Sequence, residues 1–324
     1  MFRLPRVPVL LLAGAFPLFA GCRSEPSEPA ATDSVVAADS APGDRLMRDL
    51  EVLAHDSMAG RAVGTEGGRL ARDYIVAQLR SMGLEPALDT FAVNTSVEPD
   101  SEPREGVNVR VTLPGTTHAD RYIVTTAHYD HLGVREGEVY NGADDNASGT
   151  AGLLSLVRGW VDTPTEHSII ALFTDAEEGG LRGARHFVDE PPVPIEHLLL
   201  AVNLDMVGHS SSELWVAGTW PWPSLRPLVE AVEPAEPVAL RFGHDTPEDQ
   251  GADNWVMASD HGPFHRAGVP FLYFGVADHP DYHRPTDDVA TIDPAFFRGA
   301  IETVRRVVAR ADSDLDGERS GPGR

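Results

Sequence analysis

Two stretches of the sequence are apolar at almost every position, and they constrain the fold more than any other feature. They read IIALF at residues 169–173 and LLLAVNL at residues 198–204. A strand with one face in water alternates apolar and polar residues, so a strand without alternation is buried on both faces. Such strands are typical of largely parallel sheets covered by helices on both sides. The sequence therefore predicts the α/β class, with a mostly parallel, mixed central sheet flanked by helices.

The periodicity of the neighbouring segments agrees with this class. Leu46, Leu50 and Leu53 recur at helical spacing, and similar patterns lie between the apolar runs. In sheets of this kind, functional sites form at the carboxyl ends of the strands. We expect helices at residues 45–54, 67–82, 148–160, 181–188 and 294–310, and strands at residues 107–113, 122–127, 168–174, 198–204, 214–217 and 270–274.

The first 43 residues differ in character from the rest. Residues 1–21 contain two arginines, an apolar run too short for a comfortable membrane span, and small residues, which indicates a secretory signal peptide. Their end, LFAG before Cys22, resembles the lipobox of bacterial lipoproteins, in which the cysteine is lipidated. An ordinary signal peptide with an incidental cysteine is the alternative. Residues 22–43 are rich in Ala, Ser, Pro and acidic residues and predict a disordered tether after the lipidation site.

The remaining sequence predicts one folded domain over residues 44–312 and a flexible tail over residues 313–324. The N-terminal pattern predicts an exported protein of the bacterial cell envelope, held to a membrane only by its lipid. The sequence leaves open which membrane carries it.

Composition excludes several kinds of chemistry. All 26 basic residues are arginines, and they face 50 acidic residues, for a net charge of −24. Without lysine there is no Schiff-base chemistry, Walker-type phosphate loop or Ser-Lys pair. The single cysteine, Cys22, excludes a Cys-rich zinc site in the folded part, so a metal site there must use His, Asp and Glu. We expect no nucleic-acid partner, because phosphate backbones bind cationic surfaces.

Histidines and acidic residues follow the predicted strands in turn. His128 and Asp130 follow RYIVTTA, Glu177 and Glu178 follow SIIALFT, and Asp205 follows LLLAVNL. Two further clusters, NGADDNASG and DHPDYHRPTDD, contribute Asp144, Asp145, Tyr282 and His283.

Each cluster alone has an ordinary interpretation, such as a helix N-cap or a solvated turn. Together they predict a metal site, because so many carboxylates and imidazoles at one buried edge cost free energy unless a cation neutralises them. The sequence contains no GxSxG elbow, HExxH helix or GxGxxG turn that would compete for the active site.

The ordered set AHYDHLG, NGADDNASG, FTDAEEGG, NLDMVG and YHRPTDD resembles metallopeptidase family 28. This family includes secreted bacterial leucyl aminopeptidases and is related to glutamate carboxypeptidase and glutaminyl cyclase. The flanking AGRAVGTEGGRLARDYIVAQLRSMGL and SDHGPFHRAGVP are similar to the same family, so the resemblance covers most of residues 44–312. It implies a zinc-peptidase domain with a phosphorylase/hydrolase-like, three-layer αβα fold. We expect a monomer without a protease-associated insert.

The resemblance also implies a cofactor of two Zn²⁺ ions and five ligands. His128 and Asp205 would hold one ion, Glu178 and His283 would hold the other, and Asp145 would bridge the two.

Further roles follow from the same resemblance. Glu177 would act as general base, and Asp130 would orient the imidazole of His128. Tyr282 would polarise the substrate carbonyl. A cis peptide bond is implied after Asp145.

We expect an exported zinc aminopeptidase that removes N-terminal residues from peptide substrates. A carboxypeptidase or dipeptidase is an alternative that keeps both metals. Cationic groups in the cleft would favour it, and the candidates are Arg182, Arg266 and Arg284. A glutaminyl-cyclase-like transferase would use one zinc and lack part of the ligand set. A non-catalytic, envelope-binding lipoprotein would have lost ligands or the base.

Other polar residues near the motifs are expected to be structural or solvated. Asp260 and His261 are also candidates for lining the cleft. The histidines in this group are His131, His261, His265 and His279.

Overall fold

The computed structural model describes residues 42–93, 104–209 and 212–316. All of these belong to one compact unit, Ser40–Arg324. The predicted signal peptide, Cys22 and nearly all of the predicted tether lie outside the described residues. Within the described ranges, no helix has the length and apolar character needed to cross a membrane.

An eight-stranded mixed sheet forms the centre of the unit. The strands along the chain are β1 (Ala87–Val93), β2 (Arg104–Leu113), β3 (His118–His128), β4 (Gly133–Arg135), β5 (Glu138–Tyr140), β6 (His167–Thr174), β7 (Leu198–Leu204), β8 (Glu213–Ala217), β9 (Ala239–Phe242) and β10 (Phe271–Gly275). The order in the sheet is β1-β2-β6-β3-β7-β10-β8-β9, while β4 and β5 form a separate hairpin.

The four central strands, β6, β3, β7 and β10, run parallel to one another. Every residue of β6, β7 and β10 is buried, as the apolar runs predict for strands covered on both faces. Antiparallel pairs occur toward the two edges, where β1 pairs with β2, β2 with β6, and β8 with β10. The predicted mixed, mostly parallel α/β sheet is confirmed.

Helices cover the sheet. They are α1 (Pro42–Leu53), α2 (Glu66–Ser81), α3 (Gly149–Asp162), α4 (Arg182–Asp189), α5 (Arg226–Glu230), α6 (His261–Arg266) and α7 (Pro294–Asp314). Helices α1, α3 and α7 contact one another, and α4 contacts α6. The predicted stripe of Leu46, Leu50 and Leu53 is buried, so α1 packs through the face that its periodicity indicated.

The elements that the sequence analysis missed are short or lie at an edge. Strand β1 alternates half-buried and exposed residues and pairs on one side only. Helices α5 and α6 have five and six residues, too few for a visible helical period. The last helix, α7, continues to Asp314, two residues beyond the domain end predicted at 312.

Candidate metal centre

Three neighbouring strands deliver most of the predicted site residues to one edge of the sheet. His128 is the last residue of β3, Asp205 directly follows β7, and Glu177 and Glu178 lie in the turn after β6. Because these strands are parallel, their carboxyl ends meet at the same edge. The strand order thus joins His128 to Asp205, which is 77 positions away.

Asp145 and His283 reach this edge from loops. Asp145 lies in an irregular helical turn, Ala143–Ser148, that leads into α3. The peptide bond between Asp145 and Asn146 is cis, as the resemblance implied. Gly142 precedes the turn with φ +54°, and a Cβ there would collide with the Asp145 carbonyl oxygen, so the turn requires glycine.

The five predicted ligands form two donor groups that share one carboxylate. Nε2 of His128 lies 3.2 Å from Oδ1 of Asp205 and 3.5 Å from Oδ1 of Asp145. Nε2 of His283 lies 3.1 Å from Oδ2 of Asp145 and 3.4 Å from Oε2 of Glu178. Each oxygen of Asp145 therefore faces a different group, as a bridging ligand requires.

The spacing and burial of these donors fit divalent cations. Two ligands that each lie about 2.1 Å from a tetrahedral zinc ion are about 3.4 Å apart, which agrees with the distances in both groups. Burial raises the pKa of Asp145, and it raises the pKa of Glu178 to about 7 against the opposing effect of His128. A bound cation stabilises the ionised form of such buried carboxyl groups, because it replaces the hydration that burial removes.

Glu177 belongs to neither donor group, although it lines the same cavity. Its turn includes Ala176 in the left-handed region, with φ +59°. Burial raises the pKa of Glu177 well above its usual range, and the His128 imidazole opposes this rise. A raised pKa suits a carboxylate that accepts a proton.

Asp130 contacts both the glutamate turn and the imidazole of His128. Its Oδ1 accepts the backbone N–H of Glu177 at 3.0 Å, and its Oδ2 accepts that of Glu178 at 3.4 Å. Nδ1 of His128 lies 3.2 Å from the backbone carbonyl oxygen of Asp130 but 3.7 Å from its carboxylate. The backbone carbonyl and the carboxylate of Asp130 thus both lie beside the imidazole, and the carboxylate also holds the glutamate turn.

Asp144 and Asp287 hold the bridging loop from two sides. The Asp287 carboxylate accepts the backbone N–H groups of Asp144 at 2.9 Å and Asp145 at 3.0 Å. Oδ1 of Asp144 accepts the N–H groups of Gly208 at 2.7 Å and His209 at 3.1 Å, in the loop after Asp205. These contacts make Asp144 a structural neighbour of the bridge.

A second group of side chains that could bind a metal ion lies beside this loop. It consists of His209, His279 and Asp281. The two imidazoles stack with centroids 3.7 Å apart and planes 8° apart. Because the lone pair of an imidazole nitrogen lies in the ring plane, two stacked rings do not direct nitrogens at one ion. Nε2 of His279 lies 3.2 Å from Oδ2 of Asp144, so the stack supports Asp144 instead.

His131 was expected to be structural or solvated, but the structure places it inside the donor cluster. Its side chain is fully buried, with Nδ1 2.7 Å from Oε1 of Glu178 and 3.7 Å from Oδ2 of Asp145. Burial lowers the pKa of His131 to about 3, so the ring is neutral. Its position three residues after His128 is the only sequence signal for this placement.

Asp260, a candidate for lining the cleft, lies behind the cavity rather than in its wall. It is fully buried, accepts a hydrogen bond from the Thr174 hydroxyl, and its negative charge raises the pKa of Glu177. The adjacent His261 is fully buried as well and does not line the cavity.

A cavity of about 390 Å³ opens onto both donor groups. Tyr282 lines it, with its ring stacked on that of His283 at 3.9 Å between centroids. The apolar part of the cavity wall consists of Leu181, Met206, Met257 and Ala258.

The cationic group in this wall is Arg185. None of the three arginines named from the sequence lines the cavity in the part of the chain that the structure describes. The Arg182 guanidinium instead donates to the carbonyl oxygen of Gly179 at 3.2 Å. Arg266 lines a neighbouring cavity.

Comparison with known proteins identifies the family. The model of peptidase family M28 matches residues 108–308, which include every donor described above. The chain belongs to peptidase family M28. Among related M28 sequences, aminopeptidase YwaD of Bacillus subtilis is 31% identical over 205 residues, covering 58% of this chain and 41% of the relative. Glutaminyl-peptide cyclotransferase of Drosophila melanogaster is 26% identical over 266 residues, covering 72% of each chain.

Solved structures share the fold of this M28 chain. A zinc aminopeptidase from Bacillus subtilis superposes with a TM-score of 0.67 at 18% identity, covering 86% of this chain and 98% of that one. A glutaminyl cyclase from Porphyromonas gingivalis gives the same TM-score at 19% identity, covering 84% and 98%. The three-layer α/β architecture is therefore common to both activities.

Membership of M28 groups this chain with a family of peptidases. The chain spans 41% of the length of YwaD. Because relatives with aminopeptidase and cyclotransferase names both match, the fold alone does not distinguish these reactions.

Proposed function

We propose that the protein is an exopeptidase that binds two Zn²⁺ ions and removes N-terminal residues from peptides. The convergence of five donors carries this proposal. Asp145 lies between the two donor groups, and Glu177 lies beside them without belonging to either. A peptidase of this type needs this division between residues that hold metal and a carboxylate that moves a proton.

In the proposed reaction, the zinc ions would polarise the scissile carbonyl and lower the pKa of a water molecule. Glu177 accepts the proton of the attacking water and passes it to the departing amine. Asp130 keeps the backbone of the glutamate turn in place, so Glu177 faces the cavity while Glu178 faces His283. Tyr282 lines the cavity where the substrate carbonyl would lie and would donate a hydrogen bond to it.

Two features support this assignment. The match to aminopeptidase YwaD supports the removal of N-terminal residues. The resemblance implies that a glutaminyl-cyclase-like transferase uses one zinc and an incomplete ligand set, whereas both donor groups are complete here.

Replacing Glu177 tests the proposal. Glu177→Gln should keep about two zinc ions per chain and lower kcat/KM for leucyl peptides at least about a hundredfold, because only the proton acceptor is removed. Zinc content would be measured by elemental analysis, and hydrolysis would be followed with and without a chelator. Glu51→Gln, an exposed change on α1, is the control. Full activity in Glu177→Gln would contradict the mechanism.

We also propose that the protein is exported and anchored in the bacterial cell envelope through a lipid on Cys22. The support is the sequence pattern of residues 1–22 and the occurrence of the single cysteine at the lipobox position. More than one acyl chain on that residue would give stable attachment.

A further inference from the structure

The position of Arg185 in the cavity wall is set by the start of α4. The backbone N–H of Arg185 donates to the carbonyl oxygen of Leu181 at 3.0 Å, so the two residues lie one helical turn apart on the same side. Both line the cavity that opens onto the donor groups. The arginine is therefore placed by secondary structure rather than by a flexible loop.

The Arg185 guanidinium makes no hydrogen bond or ion pair within the described parts of the chain. Some exposed arginines do form ion pairs, as Arg69 does with Glu66 and Arg226 with Glu230. Arg185 thus keeps its full donor capacity for a ligand in the cavity.

A second cavity of about 400 Å³ shares Arg185 with the first. Arg266 also lines this second cavity, and its guanidinium likewise makes no ion pair among the described residues. A peptide that extends from the donor groups past Arg185 would therefore meet a second cation. Asp189 lines the second cavity as well, so Arg185 is the cation that both cavities share.

We propose that Arg185 forms a carboxylate-binding subsite on the leaving-group side of the scissile bond. The planar guanidinium matches a carboxylate through two parallel hydrogen bonds. A carboxylate on the leaving-group side of a bound peptide would meet this guanidinium in the cavity wall. The carboxylate is supplied by the C-terminus of a short peptide or by an acidic side chain next to the scissile bond. This subsite rests on the proposed function, because that function places the N-terminus at the donor groups.

Hydrolysis of matched peptides tests the subsite. The zinc-loaded enzyme should show kcat/KM at least about tenfold higher for Leu-Ala than for Leu-Ala-amide if the C-terminus binds. It should show the same preference for Leu-Asp-amide over Leu-Ala-amide if an acidic side chain binds. In both cases the gain should lie mainly in KM, and Arg185→Gln should remove it.

Binding provides a readout that does not need turnover. The same peptides would be titrated calorimetrically into Glu177→Gln and into the double variant Glu177→Gln/Arg185→Gln. The carboxylate peptide should bind at least about tenfold more tightly than Leu-Ala-amide to the first protein and equally to the second. This preference would support the subsite even if the enzyme hydrolysed none of the peptides, which would refute only the proposed function.

Arg298→Gln, an exposed change on α7, controls for the loss of one positive charge. It should leave every ratio unchanged. Equal binding of Leu-Ala, Leu-Asp-amide and Leu-Ala-amide to Glu177→Gln, or an unchanged preference after Arg185→Gln, would overturn the subsite.

Discussion

His261 is a buried histidine whose hydrogen bonds define one neutral tautomer. Its Nε2 lies 2.6 Å from the carbonyl oxygen of Trp255, so this nitrogen carries the proton and donates it. Its Nδ1 faces the amide nitrogen of Asn203 at 3.4 Å and accepts from it. Burial lowers the pKa of His261 to about 4, because a charged imidazolium would lose its hydration there.

This lowered pKa predicts a loss of stability in acid. The unfolded chain binds a proton at His261 near pH 6.5, whereas the folded chain binds it only near pH 4. The contribution of His261 is therefore complete above pH 6.5 and falls by about 3 kcal/mol as the pH is lowered to 4. Urea unfolding of the parent and of His261→Gln at several pH values would measure the difference.

In His261→Gln, the free energy of unfolding should fall by about 3 kcal/mol less between pH 6.5 and 4 than in the parent, since glutamine does not titrate. His55→Gln, a change at an exposed position, should leave the dependence as it is in the parent. Parallel curves for the parent and His261→Gln would show that His261 is not the group responsible.

At the same scale, the sequence indicates which side chains come together at the site better than it indicates the residues that support them. The five ligands and Glu177 follow apolar strands or known motifs, and the structure brings them together. The positions of His131, Arg185 and Asp287 depend on which side of a turn or helix faces the site. That choice is made by packing between distant segments, which residue order alone does not disclose.

Arg61 connects three elements around the donor groups. It closes the short helical turn Asp56–Arg61, and its side chain is fully buried. The guanidinium donates to the carbonyl oxygens of Leu53 at 2.7 Å, Tyr129 at 2.8 Å, Asn141 at 2.6 Å and Gly142 at 2.9 Å. One guanidinium thus joins three segments of the chain: the end of α1, the segment after His128 and the loop before Asp145.

Removing the Arg61 guanidinium should lower the stability of the folded protein. Burial lowers the pKa of Arg61 to about 10, which still leaves it charged, and the charges of Asp145 and Asp287 oppose the lowering. Arg61→Met should lower the free energy of unfolding by about 3 to 5 kcal/mol, because buried carbonyls lose their donors and buried carboxylates lose a countercharge. Denaturant unfolding would measure this change.

Arg69→Met on α2 is the matched control, since Arg69 pairs with Glu66 and Asp73 on an exposed surface. That variant should lose about 1 kcal/mol or less. Equal losses in the two variants would mean that Arg61 does not join the three elements.

Element prediction succeeded where burial makes a long, uniform pattern. The predicted strand at 198–204 coincides with β7, and the other central strands differ from prediction by a few residues at their ends. Edge strands such as β1 and β9 pair on one side and are partly exposed, so their composition is less distinctive. β8 pairs antiparallel with β10, and the amino-acid composition of a strand does not indicate its direction in the sheet.

For the whole molecule, the proposed anchor and tether predict where the protein resides. Cys22→Ser should move the protein from the membrane fraction to the soluble fraction of the envelope, because the acyl chains would have no attachment site. Fractionation and immunoblotting would measure the distribution. Ser24→Ala, a neighbouring change that keeps the cysteine, should remain with the membrane. Membrane retention of Cys22→Ser would refute the lipid anchor.

The donors come from segments spread between His128 and His283, so no local piece of the chain contains a complete donor group. A partly unfolded chain would hold at most a few weak ligands. Zinc affinity is therefore a property of the assembled sheet, and metal binding and folding are one linked equilibrium. A chain that crossed a membrane unfolded would arrive without metal and would acquire it in the compartment where it folds.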